Sequence, residues 1–202
     1  MSIMRYWAKQ FEITFEMIRD LVTPRRKDTL LYFEEIGLTL SVPPYLAVLT
    51  KKQLISRLKK ATKTGDKPAT SFATGDNCRP LFIARNAENY YLSGIMIPLE
   101  GRRPVDAKNE YYEFLQSQLN DLKERYKKYV KVQVEEQSVN GVIGGLPFEK
   151  TEITARVPEE IIYYVYYYHG FHRGYQILLS SMFSGEKKGM DMVRRIEEAR
   201  FS

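Results

Sequence analysis

Residues 157–184 read VPEEIIYYVYYYHGFHRGYQILLSSMFS and form the most apolar and most tyrosine-rich stretch of the chain. Pro158 and Glu159 suit the first turn of a helix, because proline needs no hydrogen-bond partner there and acids favour the positive end of the helix dipole. Gly185 suits a helix end. Between them, apolar residues recur at alternating spacings of three and four: Ile161, Tyr164, Tyr168, Phe171, Tyr175, Leu178 and Met182. The spacing predicts a long Tyr-rich C-terminal helix.

A strand over Ile161–Tyr168 is the alternative, because β-branched and aromatic residues favour sheets. The helix is preferred because the whole run is long for a strand and because strand alternation would leave no polar face. Polar residues interrupt the run at His169, His172 and Arg173. The uninterrupted apolar part is therefore shorter than the ~20 residues that a membrane-spanning helix needs.

A helix that is apolar around most of its circumference is normally buried or shared with a partner. Tyrosine and tryptophan supply large contact areas with a polar tip, and both are typical of protein interfaces. The sequence therefore predicts protein–protein contacts through these aromatic residues: Trp7, Tyr163, Tyr166, Tyr167, Tyr168, Phe171 and Tyr175.

His169 and His172 lie three residues apart, so a helix would direct both to one side. A metal pair or a proton-handling site is one interpretation. No His-Glu-x-x-His pattern surrounds them, which favours two polar residues on the less buried face. Cys78 could be an activated thiol, because the neighbouring Arg79 would lower the pKa of its thiol. One adjacent arginine is a weak signal, so an unreactive cysteine is the preferred interpretation. We expect no catalytic residue, metal or cofactor.

A basic segment follows Thr50, where Thr50 and Gln53 match a capping box that begins a helix. Its outward face carries Lys51, Lys52, Arg57, Lys59, Lys60 and Lys63, and two basic loops add Arg25, Arg26, Arg102 and Arg103. These residues predict contacts with a polyanion or an acidic protein, and a solvated lysine-rich face explains them equally well. The formal net charge of +6 permits a nucleic-acid partner without requiring one.

Other segments predict an alternation of helices and strands. Helices are expected over Met4–Val22, from Ala107 to about Tyr129, and over Met190–Phe201. The last helix follows a linker at Lys187–Gly189 and directs Met192 and Ile196 inward. Strands are expected at Leu38–Val42, Tyr45–Leu49, Leu81–Ala84, Tyr90–Pro98, Val130–Val139 and Thr151–Val157. Asn140-Gly141 is the expected hairpin turn. Residues 28–35 are either a short helix ended by Gly37 or a strand over Leu30–Phe33. The helix after Asp106 carries an apolar stripe that predicts packing on a sheet, with a coiled-coil seam as the alternative. The stripe consists of Tyr112, Leu115, Leu119, Leu122, Tyr126 and Tyr129.

The predicted fold class is α+β, with a mixed or antiparallel sheet packed against a few amphipathic helices. The length of 202 residues predicts a single domain over 1–202. In the alternative arrangement, residues 1–27 form a helical appendage to that domain. The single cysteine excludes an internal disulfide, and Met1–Lys9 lacks the apolar core of a secretory signal. We therefore expect a cytoplasmic protein or one within a soluble particle, without membrane contact.

Three functions fit these observations. The preferred one is a non-enzymatic structural or assembly subunit of a larger complex, whose partners are other protein subunits or further copies of itself. The second is a nucleic-acid or polyanion-binding module that uses the basic helix over residues 51–63. The third is a small-molecule sensor or an enzyme built around His169 and His172.

Overall fold

The computed structural model describes residues 27–49, 53, 78–126, 133–157 and 160–202. The elements in chain order are β1 (Thr29–Phe33), a 3-10 turn (Glu34–Ile36), β2 (Leu38–Val42), β3 (Ala47–Val48), β4 (Arg79–Arg85), β5 (Tyr91–Pro98), α1 (Pro104–Tyr126), β6 (Gln133–Ile143), β7 (Leu146–Val157), β8 (Glu160–His172), β9 (Tyr175–Phe183), α2 (Glu186–Glu197) and β10 (Arg200–Phe201). The fold is α+β, as predicted, and strands dominate the described part of the chain.

The strands form two antiparallel sheets. The large sheet has the order β3-β4-β5-β9-β8-β7-β6, and the small sheet has the order β1-β2-β10. Helix α1 packs on one face of the large sheet, whereas α2 and the small sheet pack on the other. The large sheet is therefore the middle layer, and β8 lies inside it between β9 and β7.

The predicted Tyr-rich C-terminal helix is wrong. The stretch forms two antiparallel strands, β8 and β9, in which His172 pairs with Tyr175. Arg173 and Gly174 turn the chain with positive φ angles of 49° and 77°, as a two-residue hairpin turn requires. A strand that is covered on both faces needs no polar face, so the argument that had favoured a helix does not apply to it.

Two hydrophobic cores lie on the two faces of the large sheet. The core under α1 contains Tyr111, Leu115, Leu119 and Leu122 of the helix, with Tyr163, Val165 and Tyr167 of β8. The core under α2 and the small sheet contains Met192, Val193 and Ile196 of the helix, with Tyr164, Tyr166 and Tyr168 of β8 and Phe183 of β9. Odd and even residues of β8 thus serve different cores, because successive side chains of a strand point to opposite faces.

Helix α1 forms where it was expected, beginning at Pro104 rather than Ala107 and described as far as Tyr126. Its inward face packs on the sheet, which supports the preferred interpretation over a coiled coil. The predicted stripe was one residue out of phase at its start: Tyr111 is fully buried, whereas Tyr112 is 39% exposed.

The β6–β7 hairpin forms, but its turn is not at Asn140-Gly141. Gly144 and Gly145 make the turn with φ angles of 56° and 86°, and Asn140 lies within β6 opposite Glu149. Two consecutive glycines reach positive φ without a Cβ penalty, which outweighs the Asn-Gly signal. The later turn also lengthens both strands and buries Ile143.

The remaining elements differ in detail from the predictions. Residues 29–33 form a strand, which was one of the two predicted alternatives, and Gly37 ends the following turn with a φ of 60°. The predicted strand over Tyr45–Leu49 is reduced to Ala47–Val48. Strands β2, β4 and β5 lie where the sequence placed them. The Met4–Val22 helix lies outside the described residues, so the domain assignment remains a prediction.

Helix α2 begins at Glu186, so the linker predicted at Lys187–Gly189 is wrong, and Gly185 precedes this helix instead of ending another. Gly189 is buried where α2 crosses β9, and a Cβ there would come within 1.9 Å of Phe183 Cδ2. Helix α2 therefore needs glycine at this point to approach the sheet closely. Met192 and Ile196 face inward, as predicted.

Candidate functional site

The predicted aromatic interface lies mostly inside this chain. Tyr163, Tyr166, Tyr167 and Tyr168 are all buried in the two cores. Phe171 and Tyr175 flank the β8–β9 turn and are half-buried, while Trp7 lies outside the described residues. The predicted interface stays a prediction, but the buried tyrosines are covered by the protein's own layers.

The hydroxyl groups on the α2 side reach polar atoms at the margin of the core. Tyr168 donates a hydrogen bond to Glu197 Oε1 at 3.0 Å, and the same carboxylate lies 2.7 Å from Lys150 Nζ. Lys150 also sits over the ring of Tyr166 at 5.1 Å from its centroid. Burial, with the nearby Glu197 carboxylate, raises the pKa of the Tyr168 hydroxyl above its usual value, so it stays protonated. In this cluster the polar atoms at the margin of the core therefore have hydrogen-bond or ion-pair partners.

The two histidines do not form a common site. Strand alternation directs His169 under α1 and His172 to the opposite face, where its ring contacts Phe201 edge-on at 5.3 Å. His169 is buried and stacks on Tyr111 at 4.1 Å between ring centroids. The expectation that both histidines face one way is therefore wrong, because it assumed a helix.

His169 belongs to a buried polar network. Its Nε2 lies 3.0 Å from Gln176 Nε2, which also donates to the Ala107 carbonyl at 2.7 Å. Burial lowers the pKa of His169 to about 4, so the ring is neutral at physiological pH. A neutral ring accepts the proton of the Gln176 amide at Nε2, which ties β8 and β9 to the start of α1.

The surroundings of Cys78 favour the preferred interpretation of an unreactive thiol. Cys78 is partly buried beside the core under α1, and burial raises the pKa of its thiol to about 11. Within the ranges that the structure describes, no group of three or more His, Cys, Asp or Glu residues is arranged to hold a metal ion.

The predicted basic residues divide into two sets. Lys51, Lys52, Arg57, Lys59, Lys60, Lys63, Arg25 and Arg26 lie outside the described residues. Arg102 Nη1 lies 2.8 Å from Glu110 Oε2, and Arg103 contacts Asp106 through two hydrogen bonds of 2.9 Å. Acids therefore pair with the two described arginines, and polyanion binding stays a prediction for the basic helix and for the four loop arginines.

Exposed apolar side chains mark two sheet edges that sequence reasoning missed. On β1, at the edge of the small sheet, Leu30 is 70% exposed and Tyr32 is 60% exposed. On β6, at the edge of the large sheet, Val139 is 48% exposed and Val142 is 68% exposed. The sequence contains a signal for the β1 edge, because a strand over Leu30–Phe33 must carry apolar residues on both of its faces.

The geometry of β6 shows which backbone groups point outward. Ile143 and Leu146 close the two-residue turn, and the closing pair of such a hairpin exchanges both of its hydrogen bonds. Alternate residues from Ile143 backwards therefore bond to β7. The residues between them direct their N–H and C=O groups away from the sheet: Val134, Glu136, Ser138, Asn140 and Val142.

No protein-family model and no curated protein sequence matches this chain. Its fold is similar to the solution structure of cyanobacterial PsbP (CyanoP) from Synechocystis sp. PCC 6803, with a TM-score of 0.52 and 11% identity over 87% of this chain and 92% of that one. A weaker likeness, with a TM-score of 0.46 and 13% identity, covers 94% of this chain and 98% of LpqN, which is involved in cell envelope biogenesis of Mycobacterium tuberculosis. At such identities the PsbP likeness shows a shared fold alone.

Neither described helix is long and apolar enough to cross a membrane.

Proposed function

We propose that this chain is a non-enzymatic structural or assembly subunit of a larger macromolecular complex, and that it acts through protein–protein contacts. The observation that carries this proposal is the exposure of Leu30 and Tyr32 on edge strand β1. Large apolar side chains beside an unpaired strand edge are typical of surfaces that another chain covers.

The two faces of β1 support this interpretation. Leu31 and Phe33 pack against the core on the inner face, so the outer residues would be polar if that face met only water. They are Leu30 and Tyr32 instead. The strand is thus apolar on both faces, which is typical of a strand with cover on both sides.

The side chains opposite this pair are small and neutral: Leu30 lies opposite Ser41 and Tyr32 lies opposite Thr39. One ion pair borders them, since Ser41 donates to Asp28 and accepts from Arg195. Interface centres are depleted in charge and enriched in tyrosine. The preferred partners are therefore other protein subunits or further copies of the chain, in the cytoplasm or within a soluble particle.

Cross-linking in the native source, followed by mass spectrometry, tests the proposal. We expect cross-links from the region of β1 to one partner, and at least tenfold less of that partner with the double variant Leu30→Ser, Tyr32→Ser. Val105→Ser is the matched control, because Val105 is an apolar residue on α1 that is also more than half exposed. Both variants should keep the wild-type stability within about 0.5 kcal/mol, since the side chains are exposed. Equal recovery of the partner with the double variant and the control would contradict the proposal.

A further inference from the structure

We propose that the free edge of β6 is a self-association surface, on which β6 of a second copy pairs in antiparallel orientation around Ser138. This inference rests on the proposed function, because it identifies a second copy of the chain as one of the partners that the function requires. The pairing would join two large sheets into one continuous sheet across a twofold axis.

The strand offers a long and regular edge. It spans 11 residues, and each of them pairs with β7 without a bulge. Residues 135–142 are all exposed, so no described part of the chain covers the edge. Proteins commonly block such edges with proline, lysine, a bulge or a short strand. None of these occurs within Gln133–Ile143, where Glu135 and Glu136 are the charged residues.

Hydrogen-bond direction restricts the registers that a second copy can adopt. In an antiparallel pair, residues with outward backbone groups must lie opposite each other. A twofold axis at Ser138 places Glu136 opposite Asn140 and Val134 opposite Val142, and it uses the whole strand. The outward residues then form about ten intermolecular backbone hydrogen bonds, two for each of five pairs.

Strand length and charge together favour the same register. Axes at Gln137 or Val139 also bring outward residues opposite each other, but within β6 each forms four such pairs instead of five. An axis at Glu136 would place two glutamates directly opposite each other, which is destabilising. An axis at Asn140 would run past the turn and lose part of the pairing. The axis at Ser138 instead gives each Glu136 carboxylate an opposing Asn140 amide, which can donate to it, and opposes no like charges.

Sedimentation velocity of the full chain over a wide range of concentrations tests the pairing. We expect a reversible monomer–dimer equilibrium, which Ser138→Pro weakens at least tenfold. The Ser138 N–H points outward, so proline in both copies removes both hydrogen bonds of the central pair of the dimer and none of the β6–β7 ladder. Ser138→Ala, which keeps the backbone N–H, is the matched control and should still dimerise.

Charge variants test the register even if the proline variant fails to fold. Asn140→Lys should strengthen the dimer and Asn140→Glu should weaken it, each by about 3- to 30-fold, because two symmetry-related pairs change at once. Gln137→Lys is the control, since this register places Gln137 opposite Val139 rather than opposite an acid. An equal effect of all three substitutions would overturn the register.

The outcomes separate this inference from the proposed function. A chain that is monomeric at every concentration, yet still captures a partner through Leu30 and Tyr32, overturns self-pairing and leaves the proposed function intact. Protection of the outward β6 amides from hydrogen exchange by a different protein, without self-association, also overturns the second copy as occupant. A dimer that responds to none of the β6 variants overturns the proposed surface.

Discussion

The two faces of the large sheet are built on different principles, although the same strand supplies both. Under α1, polar groups lie deep in the core and bond to one another. Under α2, aromatic rings fill the core and their polar atoms lie at its margin. Since β8 contributes His169 to the first face and Tyr168 to the second, alternation along one strand produces both environments.

The α1 face contains hydrogen bonds between side chains that lead from the buried core to its partly exposed margin. Tyr111 bonds to Thr151 at 3.1 Å, and Thr151 bonds to Ser138 at 3.0 Å. On the neighbouring strands, Ser93 bonds to Ser180 at 2.7 Å. Buried polar groups are costly unless they are paired, so this face depends on protonation states and on precise partners.

The α2 face contains stacked rings. Tyr164 and Tyr166 both stack against Phe183, at 5.0 and 5.7 Å between ring centroids, and they stack against each other at 6.4 Å. Tyr45 extends its hydroxyl outward and donates to the Lys188 carbonyl at 2.7 Å. This face depends mainly on filled volume, so the comparison predicts that it responds to truncation and that the α1 face responds to pH.

The largest effect is expected from emptying the centre of the α2 face. Phe183→Ala removes a fully buried ring that contacts two tyrosines, and it should lower the free energy of unfolding by about 3–5 kcal/mol. Denaturant titration measures this loss. Leu30→Ala is the control on an exposed site and should change stability by less than about 0.5 kcal/mol. Similar losses for the two variants would mean that the ring stack does not hold this face.

A pH dependence is expected from the α1 face. Burial lowers the pKa of His169 from 6.5 to about 4, so the unfolded chain binds the proton at a higher pH than the folded chain does. Stability should therefore be complete above pH 6.5 and fall as the pH drops toward 4, by up to about 3 kcal/mol from this group. Denaturant titrations across this range measure the slope.

His169→Gln should remove most of that slope, whatever it does to stability at neutral pH. His172→Gln should keep most of it, because His172 is half-buried on the other face. If the two variants had the same slope as the wild type, the buried network would not control the response to acid.

The smallest change in the free energy of unfolding is expected from removing one tyrosine hydroxyl on each face. Tyr111→Phe removes a buried partner of Thr151 and should cost about 1 kcal/mol. Tyr168→Phe should cost less than about 0.5 kcal/mol, because Glu197 keeps Lys150 as a partner and is open to water. Thermal or denaturant unfolding of the pair measures the difference. A larger loss for Tyr168→Phe would reverse the assignment of the two faces.

Local sequence patterns predicted the elements whose apolar spacing and turn residues lie within or beside the element itself. The β4–β5 hairpin, β2 and α1 follow from periodicity and turn residues, and Met192 and Ile196 were placed inward by spacing alone. The candidate surfaces were not predicted in the same way. Whether Leu30 or Val142 is exposed depends on which strands lie at the edges of the sheets, and the sequence order does not reveal that.

The amino-acid sequence by itself determined that this is an α+β chain with an apolar, tyrosine-rich segment that must be covered. Only the tertiary structure decided that the segment is a strand pair, because Ile161–Tyr168 satisfies helical and strand spacing alike until both faces of β8 are seen to be covered. The same structure separated His169 from His172. A period of two sends residues three apart to opposite faces, whereas a period of 3.6 would have kept them together.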